Sequence, residues 1–366
     1  MRRSKNTALA GISVVAALLL AACSQGGSDT TAPAADEGTV TDTTAAKPAP
    51  FDAGLVKIAI VQNSGAGDYF QQWTNGAKQQ AEAIGFDVQI YDAQADNAKQ
   101  ATDMETAIGS GVAGIIVDHG QKDTMCPLIK QATDAGIPVV VYDVAISDCA
   151  PDAVQTQQSD ASLAQAVLEQ MAKDLGKDQK VGYVNVLGIA PLDRRHVVWE
   201  EIVKANNWTQ SFFVGKFTNA VATDNAQLVD AALKANPDVT GIFAPYDELT
   251  KGTVSAIEQN NLQGSIKAYG IDISNADIEI MTKEGSPWAA TAGTDPNAIG
   301  AAVVRNMALE LAGQLGVKSV DFPGVLITAA FLKENAIKNM VDLRAALPSL
   351  NLAEVSAADW IPAVKF

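Results

Sequence analysis

Two short stretches decide the fold of this chain: residues 112–118, VAGIIVD, and residues 239–245, VTGIFAP. Each is a continuous apolar run that ends at a turn, which is typical of a strand buried on both faces of a parallel sheet. Helical patterns separate such runs, so the sequence predicts alternating strands and helices. Two further pairs of segments repeat at nearly the same offset along the chain: residues 57–59 with 180–182, and residues 137–139 with 265–267.

This nearly constant offset indicates two lobes of one topology rather than one long sheet. We therefore predict an α/β fold of two similar doubly wound parallel-sheet lobes joined by a three-crossing hinge. The predicted lobes are an N-terminal one of residues 53–158 plus 295–322 and a C-terminal one of residues 159–294 plus 323–366. The crossings are expected near residues 157–161, 292–296 and 320–327. Because ligands of doubly wound sheets bind beyond the carboxyl ends of strands, two facing lobes would enclose a cleft.

The composition agrees with a globular protein of two domains. The chain has 366 residues, of which 48% are hydrophobic and 19% charged, so it can bury a core without being a membrane bundle. Its 42 acidic residues outnumber its 26 basic residues and give a formal charge of -16. This charge repels phosphate backbones and anionic lipid surfaces, and it excludes nucleic acid as a partner.

The N-terminus predicts export. Residues 1–22 begin with basic residues, continue through an apolar run at residues 8–20 and end in small residues before Cys23, which is the layout of a secretory signal. Residues 20–23, Leu-Ala-Ala-Cys, resemble the lipobox of bacterial lipoproteins, in which Cys23 would be lipidated. A plain cleaved signal is the alternative. Residues 23–52 are poor in large apolar residues and are predicted to form a disordered tether. The expected location is extracytoplasmic, with a lipid anchor as the contact with the membrane.

Two cysteines remain in the folded part, Cys126 and Cys149. Both follow consecutive predicted strands, and an oxidising compartment permits a disulfide between them, although two buried thiols are an alternative. A structural zinc site usually needs four ligands, and the two histidines, His119 and His196, do not have metal-ligand spacing. Neither a metal nor a cofactor is expected.

Acidic side chains follow four of the predicted strands: Asp118, Asp143, Asp247 and Asp272. Carboxylates accept strong hydrogen bonds from hydroxyl groups, so acids at matching corners of two lobes favour a polyhydroxy ligand. The alternative is that each acid only begins a turn or caps the next helix. Their occurrence at matching positions makes that alternative weaker for the set than for any one of them.

At this point the chain resembles the ribose-type periplasmic binding proteins, which bind sugars for ABC transporters. The resemblance covers roughly residues 55–330 and depends on the order of elements and on three blocks: PVVVYD, NPDVTGIFAPYDE and AYGID. Together with the strand-end acids, it implies ligand contacts at Asp68, Tyr69, Phe70, Asp118, Asp143, Arg195, Tyr246, Asp247, Asp272 and Thr294. Arg194 is interpreted as solvated, while His119 could reach the cleft. The tail from Leu332 onward extends past the resemblance and is expected to pack on a lobe.

Two departures argue against ribose itself. Where ribose binders have an arginine directly after the fifth-strand aspartate, this chain has Val144, and Tyr246 stands where they have asparagine. A buried polar group left unpaired costs about 1–3 kcal/mol, so such changes alter selectivity. A neutral pentose, hexose or sugar alcohol remains the expected ligand, and the excess of acids in the cleft argues against an anionic one.

The resemblance implies a monomeric binding protein of an ABC importer, whose closed form is presented to the permease transmembrane subunits. No covalent chemistry is implied. The competing enzyme hypothesis, a glycosidase, needs two carboxyl groups flanking the scissile bond at about 5 Å or about 6.5–9.5 Å, and nothing in the sequence marks such a pair. A sugar-sensing receptor would have the same cleft, and the sequence does not separate it from a transport protein.

Overall fold

The computed structural model describes residues 36–366, so the predicted signal peptide and Cys23 lie outside the described residues. The strands are β1 (Thr39–Val40), β2 (Val56–Gln62), β3 (Phe86–Asp92), β4 (Gly114–Asp118), β5 (Val139–Tyr142), β6 (Val154–Gln158), β7 (Lys180–Val184), β8 (Thr209–Val214), β9 (Gly241–Ala244), β10 (Lys267–Ile271), β11 (Trp288–Gly293), β12 (Ser319–Phe322), β13 (Val325–Thr328) and β14 (Val364–Lys365). The α-helices are α1 (Asp68–Ile84), α2 (Asn97–Gly109), α3 (Lys122–Asp134), α4 (Asp160–Leu175), α5 (Ala190–Ala205), α6 (Val221–Ala235), α7 (Asp247–Gln259), α8 (Asn275–Thr282), α9 (Pro296–Leu311), α10 (Ala329–Glu334) and α11 (Met340–Ala346).

The strands form two six-stranded sheets, one in each lobe, and the predicted fold class is confirmed. The N-terminal sheet has the order β12-β6-β5-β4-β2-β3, and all its strands are parallel. Every residue of β4 and β5 is buried, as their continuous apolar sequences predict. Helices α1 and α9 cover one face and approach closely at glycines: a Cβ on Gly76 would lie 2.0 Å from the Asn297 carbonyl oxygen.

The C-terminal sheet has the order β13-β11-β10-β9-β7-β8. Its strands are parallel except β13, which pairs antiparallel with β11. The sequence did not predict this antiparallel edge strand. It arises because only two residues separate β12 in one sheet from β13 in the other, with no crossover helix between them. The chain therefore leaves β12 at the cleft and continues away from it in β13, opposite to the strands whose carboxyl ends meet there.

The chain passes between the two sheets at three places. They lie between β6 and α4, between β11 and α9, and between β12 and β13. The first of these segments contains Ser159, the second Thr294 and Asp295, and the third Pro323 and Gly324. The carboxyl ends of the parallel strands in both lobes therefore meet at one cleft.

The end of the chain differs from the prediction, which assigned residues 323–366 to the C-terminal lobe. Helix α10 does pack on that lobe, but the last residues return to the N-terminal lobe. The buried Arg305 guanidinium on α9 donates to the carbonyl oxygens of Leu352 (2.5 Å) and Val355 (2.9 Å). A buried guanidinium needs acceptors, and the backbone of the tail provides them.

Part of the segment predicted to be a disordered tether is also ordered. Strand β1 pairs antiparallel with β14, and the Asp36 carboxylate accepts from Arg344. Phe51 is buried and packs against Trp360, with ring centroids 5.1 Å apart. Residues 36–52 are thus held by backbone pairing and aromatic packing to the C-terminal tail, a partner that local composition does not reveal. Within the described chain, no helix combines the length and apolar character that a bilayer crossing requires.

Candidate functional site

A cavity of about 310 Å³ lies between the lobes at the carboxyl ends of the strands. Side chains of the N-terminal lobe and the first crossing that line it include Asn63, Tyr69, Phe70, Asn97, His119 and Gln158. The C-terminal lobe contributes, among others, Ile189, Leu192, Arg195, Phe217, Tyr246 and Asp272. The cavity is at the small end of the range of ligand pockets, which are usually about 300–1,000 Å³. It is therefore sized for a small molecule.

The predicted site residues divide into two groups. Five line the cavity: Tyr69, Phe70, Arg195, Tyr246 and Asp272. The other five are not among its lining residues: Asp68, Asp118, Asp143, Asp247 and Thr294. They pair instead with neighbouring side chains, some of which line the cavity. As ligand contacts, all ten remain predictions.

Aromatic side chains from both lobes face one another across the cavity. The Phe70 ring lies 5.0 Å from His119 and 6.2 Å from Tyr246, in edge-to-face arrangements. The Tyr69 hydroxyl hydrogen-bonds to the Tyr142 hydroxyl, and burial, followed by Asp272, raises the pKa of Tyr69 well above its ordinary value. Tyr69 is therefore a neutral phenol, and these rings offer flat apolar surfaces with polar edges.

Arg195 and Asp272 form the polar centre of the site. Arg195, on α5, donates from Nε to Asp160 (2.7 Å) and from Nη1 to the Pro245 carbonyl oxygen (2.6 Å), and its Nη1 lies 3.7 Å from Asp272 Oδ2. Asp272 Oδ1 is buried and has no hydrogen-bond partner within residues 36–366. Burial raises the pKa of Asp272 to about 6, and Asp160 adds to the shift, while Arg195 opposes it. One carboxylate oxygen is thus available to a ligand hydroxyl.

Arg194 connects the lobes at the base of the cleft, so its interpretation as solvated was wrong. Its Nη2 donates to Asp143 Oδ1 (2.5 Å) at the end of β5, and its Nε donates to Asp160 (2.8 Å) at the start of α4. Asp160 was missed by the sequence analysis. Its signal was an acid just after the first hinge crossing in a chain with two adjacent arginines, but only the fold brings these segments together.

Asp118 supports His119 rather than lining the cavity. Its Oδ1 lies 2.7 Å from His119 Nδ1, and its Oδ2 accepts from Gln62 Nε2 (3.0 Å). Burial lowers the pKa of His119, but the Asp118 and Asp143 carboxylates together raise it more, and the net shift is upward. His119, which could reach the cleft according to the sequence, lines the cavity.

Thr294 acts on the cavity through a glutamine. Its hydroxyl donates to Gln158 Oε1 (2.9 Å), and Gln158 lines the cavity from the end of β6, where the first crossing begins. The sequence comparison placed the hinge residue near Thr294 and did not identify Gln158. The two side chains come from different crossings, so their contact depends on the hinge being assembled.

Three strand-end residues have a left-handed backbone: His119 (φ 55°), Asp143 (φ 55°) and Asp272 (φ 80°). This conformation is uncommon for residues other than glycine, and it persists where the surrounding structure enforces it. Here it turns the chain sharply at the ends of β4, β5 and β10, next to the cleft.

Asp68 and Asp247 belong to a second interlobe cluster at the rim of the cleft. Lys251 Nζ, on α7, lies 2.5 Å from Asp68 of the N-terminal lobe, 2.8 Å from Glu248 and 3.3 Å from Asp247. It is also 3.4 Å from Asp277. Asp68, Asp247 and Glu248 are close enough together to hold a metal ion, but the Lys251 ammonium already contacts all three. The cation bound by this cluster is therefore a lysine.

The structure also joins Cys126 and Cys149 in a disulfide, with Cα atoms 6.0 Å apart. The bond connects helix α3 to the loop that follows β5. It thus ties down the segment immediately after Asp143.

Comparison with known proteins identifies this architecture. The model of the periplasmic binding protein domain family matches residues 58–315. The ribose import binding protein of Salmonella typhimurium is 24% identical over 246 residues, which are 67% of this chain and 81% of that protein.

Solved structures agree. One is a 5-methylthioribose transporter solute-binding protein of Thermotoga lettingae in complex with 5-methylthioribose, 34% identical, with a TM-score of 0.81 over 84% of this chain and 97% of that one. Another is a sugar ABC transporter protein of Yersinia enterocolitica, 29% identical, with a TM-score of 0.83 over 87% of this chain and 98% of that one. These relatives are transport binding proteins and not enzymes. The chain therefore belongs to the periplasmic binding proteins and is similar to the ribose-type solute-binding proteins of sugar ABC transporters.

Proposed function

We propose that the interlobe cavity binds a neutral monosaccharide or sugar alcohol. The observation that carries this proposal is the free Asp272 oxygen beside Arg195, in a small cavity with aromatic walls. The carboxylate accepts hydroxyl hydrogens, the guanidinium donates to hydroxyl oxygens, and the rings cover the apolar faces of a sugar. The Thermotoga protein binds 5-methylthioribose, an uncharged sugar derivative, which supports the same class of ligand here.

Binding is coupled to lobe closure in this proposal. Asp272 and Arg195 belong to one lobe and Phe70 and His119 to the other, so a bound sugar makes contacts that neither lobe supplies alone. Such a ligand favours the arrangement in which the lobes meet, because it binds that arrangement more tightly than the open one. The closed form is then the one that the permease recognises.

A thermal-shift screen tests the ligand class. The mature protein is heated with pentoses, hexoses, pentitols, inositols and amino acids, each in excess. A ligand at 100 times its Kd adds about 2.7 kcal/mol of stability, which raises the melting temperature measurably. We expect a shift with at least one neutral polyhydroxy compound, recovered unaltered by mass spectrometry. A response to amino acids alone, or to no compound, would contradict the proposal.

The variant Asp272→Asn tests the residue assignment. It preserves size but removes the charged acceptor, and we expect the affinity for the identified sugar to fall about tenfold to hundredfold. Asp321→Asn is the matched control, since Asp321 is exposed on β12 and lies outside the cavity lining. Isothermal titration calorimetry measures both variants. Equal affinities for the two would show that Asp272 does not bind the ligand.

We further propose that Cys23 is lipidated, that the protein is tethered to the membrane by this lipid and that it acts as a monomer. The proposal is supported by the lipobox-like residues 20–23 and by the extracytoplasmic role of the family. Metabolic labelling with a fatty-acid analogue tests it, with Cys23→Ser expected to lose the label and to appear in the medium or periplasm. Light scattering of the purified domain should give the mass of one chain.

A further inference from the structure

The cavity has one wall that is mostly apolar, with Lys216 as the polar lining residue next to it. The run at residues 186–192, VLGIAPL, connects β7 to the first turn of α5, and Val186, Leu187, Ile189, Pro191 and Leu192 all line the cavity. Phe217, from the loop after β8, lines it as well and packs on Tyr246, with ring centroids 6.3 Å apart. We call Val186, Leu187, Ile189, Pro191, Leu192 and Phe217 the apolar wall.

Four residues of the apolar wall are accessible, whereas Pro191 and Leu192 are buried at its base. Leu187 is 51% exposed, and Val186, Ile189 and Phe217 are partly buried. In the same lobe the apolar strands β7 and β9 are buried almost throughout, so accessible aliphatic side chains at the cleft stand out. When a ligand covers an exposed apolar surface at a cleft, the removal of that surface from water stabilises the complex.

Polar and charged side chains lie one helical turn away from the apolar wall. Leu192 and Arg195 are three residues apart on α5 and therefore lie on one face of the helix. Arg195 and Asp272 provide charged hydrogen-bonding groups, and His119 and Gln158 add polar ones. The cavity is thus divided between a polar part and an apolar part.

A simple sugar would place hydroxyl groups against the apolar wall as well as against the polar part. A hydroxyl buried against the apolar wall without a partner weakens binding about fivefold to hundredfold. An apolar group of two heavy atoms in the same place strengthens binding about tenfold, because the burial of each methylene-sized group adds a favourable transfer free energy to binding. The preferred ligand is therefore amphipathic.

We propose that the ligand is a neutral pentose in which a small apolar substituent, alkyl or alkylthio, replaces one hydroxyl and packs on the apolar wall. This inference rests on the proposed function and narrows its ligand class. The hydroxyls of the pentose bind at Asp272 and Arg195, and the substituent contacts Ile189, Leu192 and Phe217. The wall is thereby a specificity element, because it disfavours sugars that carry a hydroxyl at that position.

Three probes test this with the mature protein in calorimetric titrations: 5-methylthioribose, 5-deoxyribose and ribose. We expect 5-methylthioribose to bind about a hundredfold more tightly than ribose, with 5-deoxyribose intermediate, because it loses the unpaired hydroxyl without gaining the full substituent. Ribose or a hexose binding as tightly as 5-methylthioribose would overturn the inference and leave the proposed function intact. Absence of binding by every sugar and polyol would overturn both.

The variant Ile189→Ser tests the wall itself. Ile189 is the N-cap residue of α5 and has no side-chain cap hydrogen bond, so serine, a preferred N-cap, should not destabilise the helix. We expect about a fivefold to tenfold loss of affinity for 5-methylthioribose and less than a twofold change for ribose. Val197→Ser, at an exposed apolar residue of α5 outside the cavity lining, is the matched control and should change neither. Equal losses for both sugars, or none for 5-methylthioribose, would refute the role of the wall.

Discussion

Within residues 36–366, two ionic bridges connect the lobes, and they differ in how their charges balance. At the base, Arg194 and Arg195 face three acids, Asp143, Asp160 and Asp272. At the rim, a single cation, Lys251, contacts four acids, listed here: Asp68, Asp247, Glu248 and Asp277. The base is nearly neutral, whereas the rim carries an excess of negative charge.

This difference in charge balance indicates different roles for the two bridges: both hold the lobes together, but in the proposed function the base also binds the ligand. Guanidinium groups donate in fixed directions, so at the base the pairing is directional and leaves oxygens of Asp143 and Asp272 without partners in the described chain. An ammonium is a compact charge that satisfies several acids without strict geometry. The rim therefore acts as an electrostatic contact, while the base combines such a contact with one acceptor that lines the cavity, Asp272.

The largest expected effect comes from removing the rim cation with Lys251→Met. Asp247 and Asp277 are fully buried in the lobe that carries Lys251, and their charges would lose their contact with a cation. Breaking a buried pair by removing one partner costs about 3–5 kcal/mol, and we expect a loss of this size in the free energy of unfolding at pH 7.5. Urea denaturation measures it. Lys283→Met, in an exposed pair with Glu258, is the control and should change stability by less than about 1 kcal/mol.

A loss in Lys251→Met no larger than in the Lys283 control would show that the rim acids are already protonated. Burial raises the pKa of Asp247 well above its ordinary value, so this outcome is physically meaningful. Repeating the measurement at pH 5 should reduce the difference between the two variants.

The second largest effect is expected at the base, from the variant Arg194→Met. Asp160 keeps Arg195 as a partner, but Asp143 loses the guanidinium that reaches it from the other lobe. Hydrogen bonds to charged groups contribute about 1.5–3 kcal/mol, so we expect sugar affinity to fall by roughly tenfold or more as closure weakens. Small-angle scattering of the ligand-free protein should show a larger radius of gyration.

Arg194→Lys separates charge from geometry at the same position. A lysine keeps the positive charge but cannot donate to Asp143 and Asp160 with a planar fork. An affinity as low as that of Arg194→Met would show that the fork is required. Wild-type affinity in both variants would show that Arg194 does not contribute to lobe closure.

The smallest effect is the pH dependence of stability. The folded pKa values of Asp272, at the base, and Asp277, at the rim, are raised to about 6 mainly by burial, from an ordinary value near 4. An acid with a raised pKa contributes stability below its unfolded pKa, and this contribution is lost as pH rises through the folded pKa. The free energy of unfolding of the ligand-free protein should therefore decrease between about pH 4 and pH 7.

Single variants assign this pH dependence to the two bridges. Asp277→Asn should remove the contribution of that acid at the rim, and Asp272→Asn that of the corresponding acid at the base. Each loss should be seen as a smaller change of the free energy of unfolding across the same pH range in urea denaturation. Wild-type slopes in both variants would mean that neither acid titrates in that range.

Much of the fold was predictable because it depends on local patterns. Apolar runs such as 112–118 and 239–245 became buried strands, and the repeated offset predicted two similar lobes. The edge strand β13 and the path of the tail were not predictable in this way. Arg305 binds tail carbonyl oxygens about fifty residues further along the chain, and no local pattern encodes such a distant pairing.

The site was predicted in part for the same reason. Position at a strand end identified Asp272 as a candidate, but the same criterion selected Asp118, which supports His119, and Asp247, which binds Lys251. Strand-end position places a side chain at the cleft edge of a lobe. Whether it faces the cavity depends on neighbours from other segments.

By itself, the sequence determined the alternation of strands and helices, the two-lobe repeat, the acidic strand ends and the aromatic pair Tyr69-Phe70. These follow from burial and backbone turns within short segments. Only the tertiary structure decided that Arg194 crosses the cleft, that Asp160 joins both arginines and that the cavity has one apolar wall. Such pairings join segments that are distant in the chain, so they stabilise the protein only after the two lobes have folded and come together.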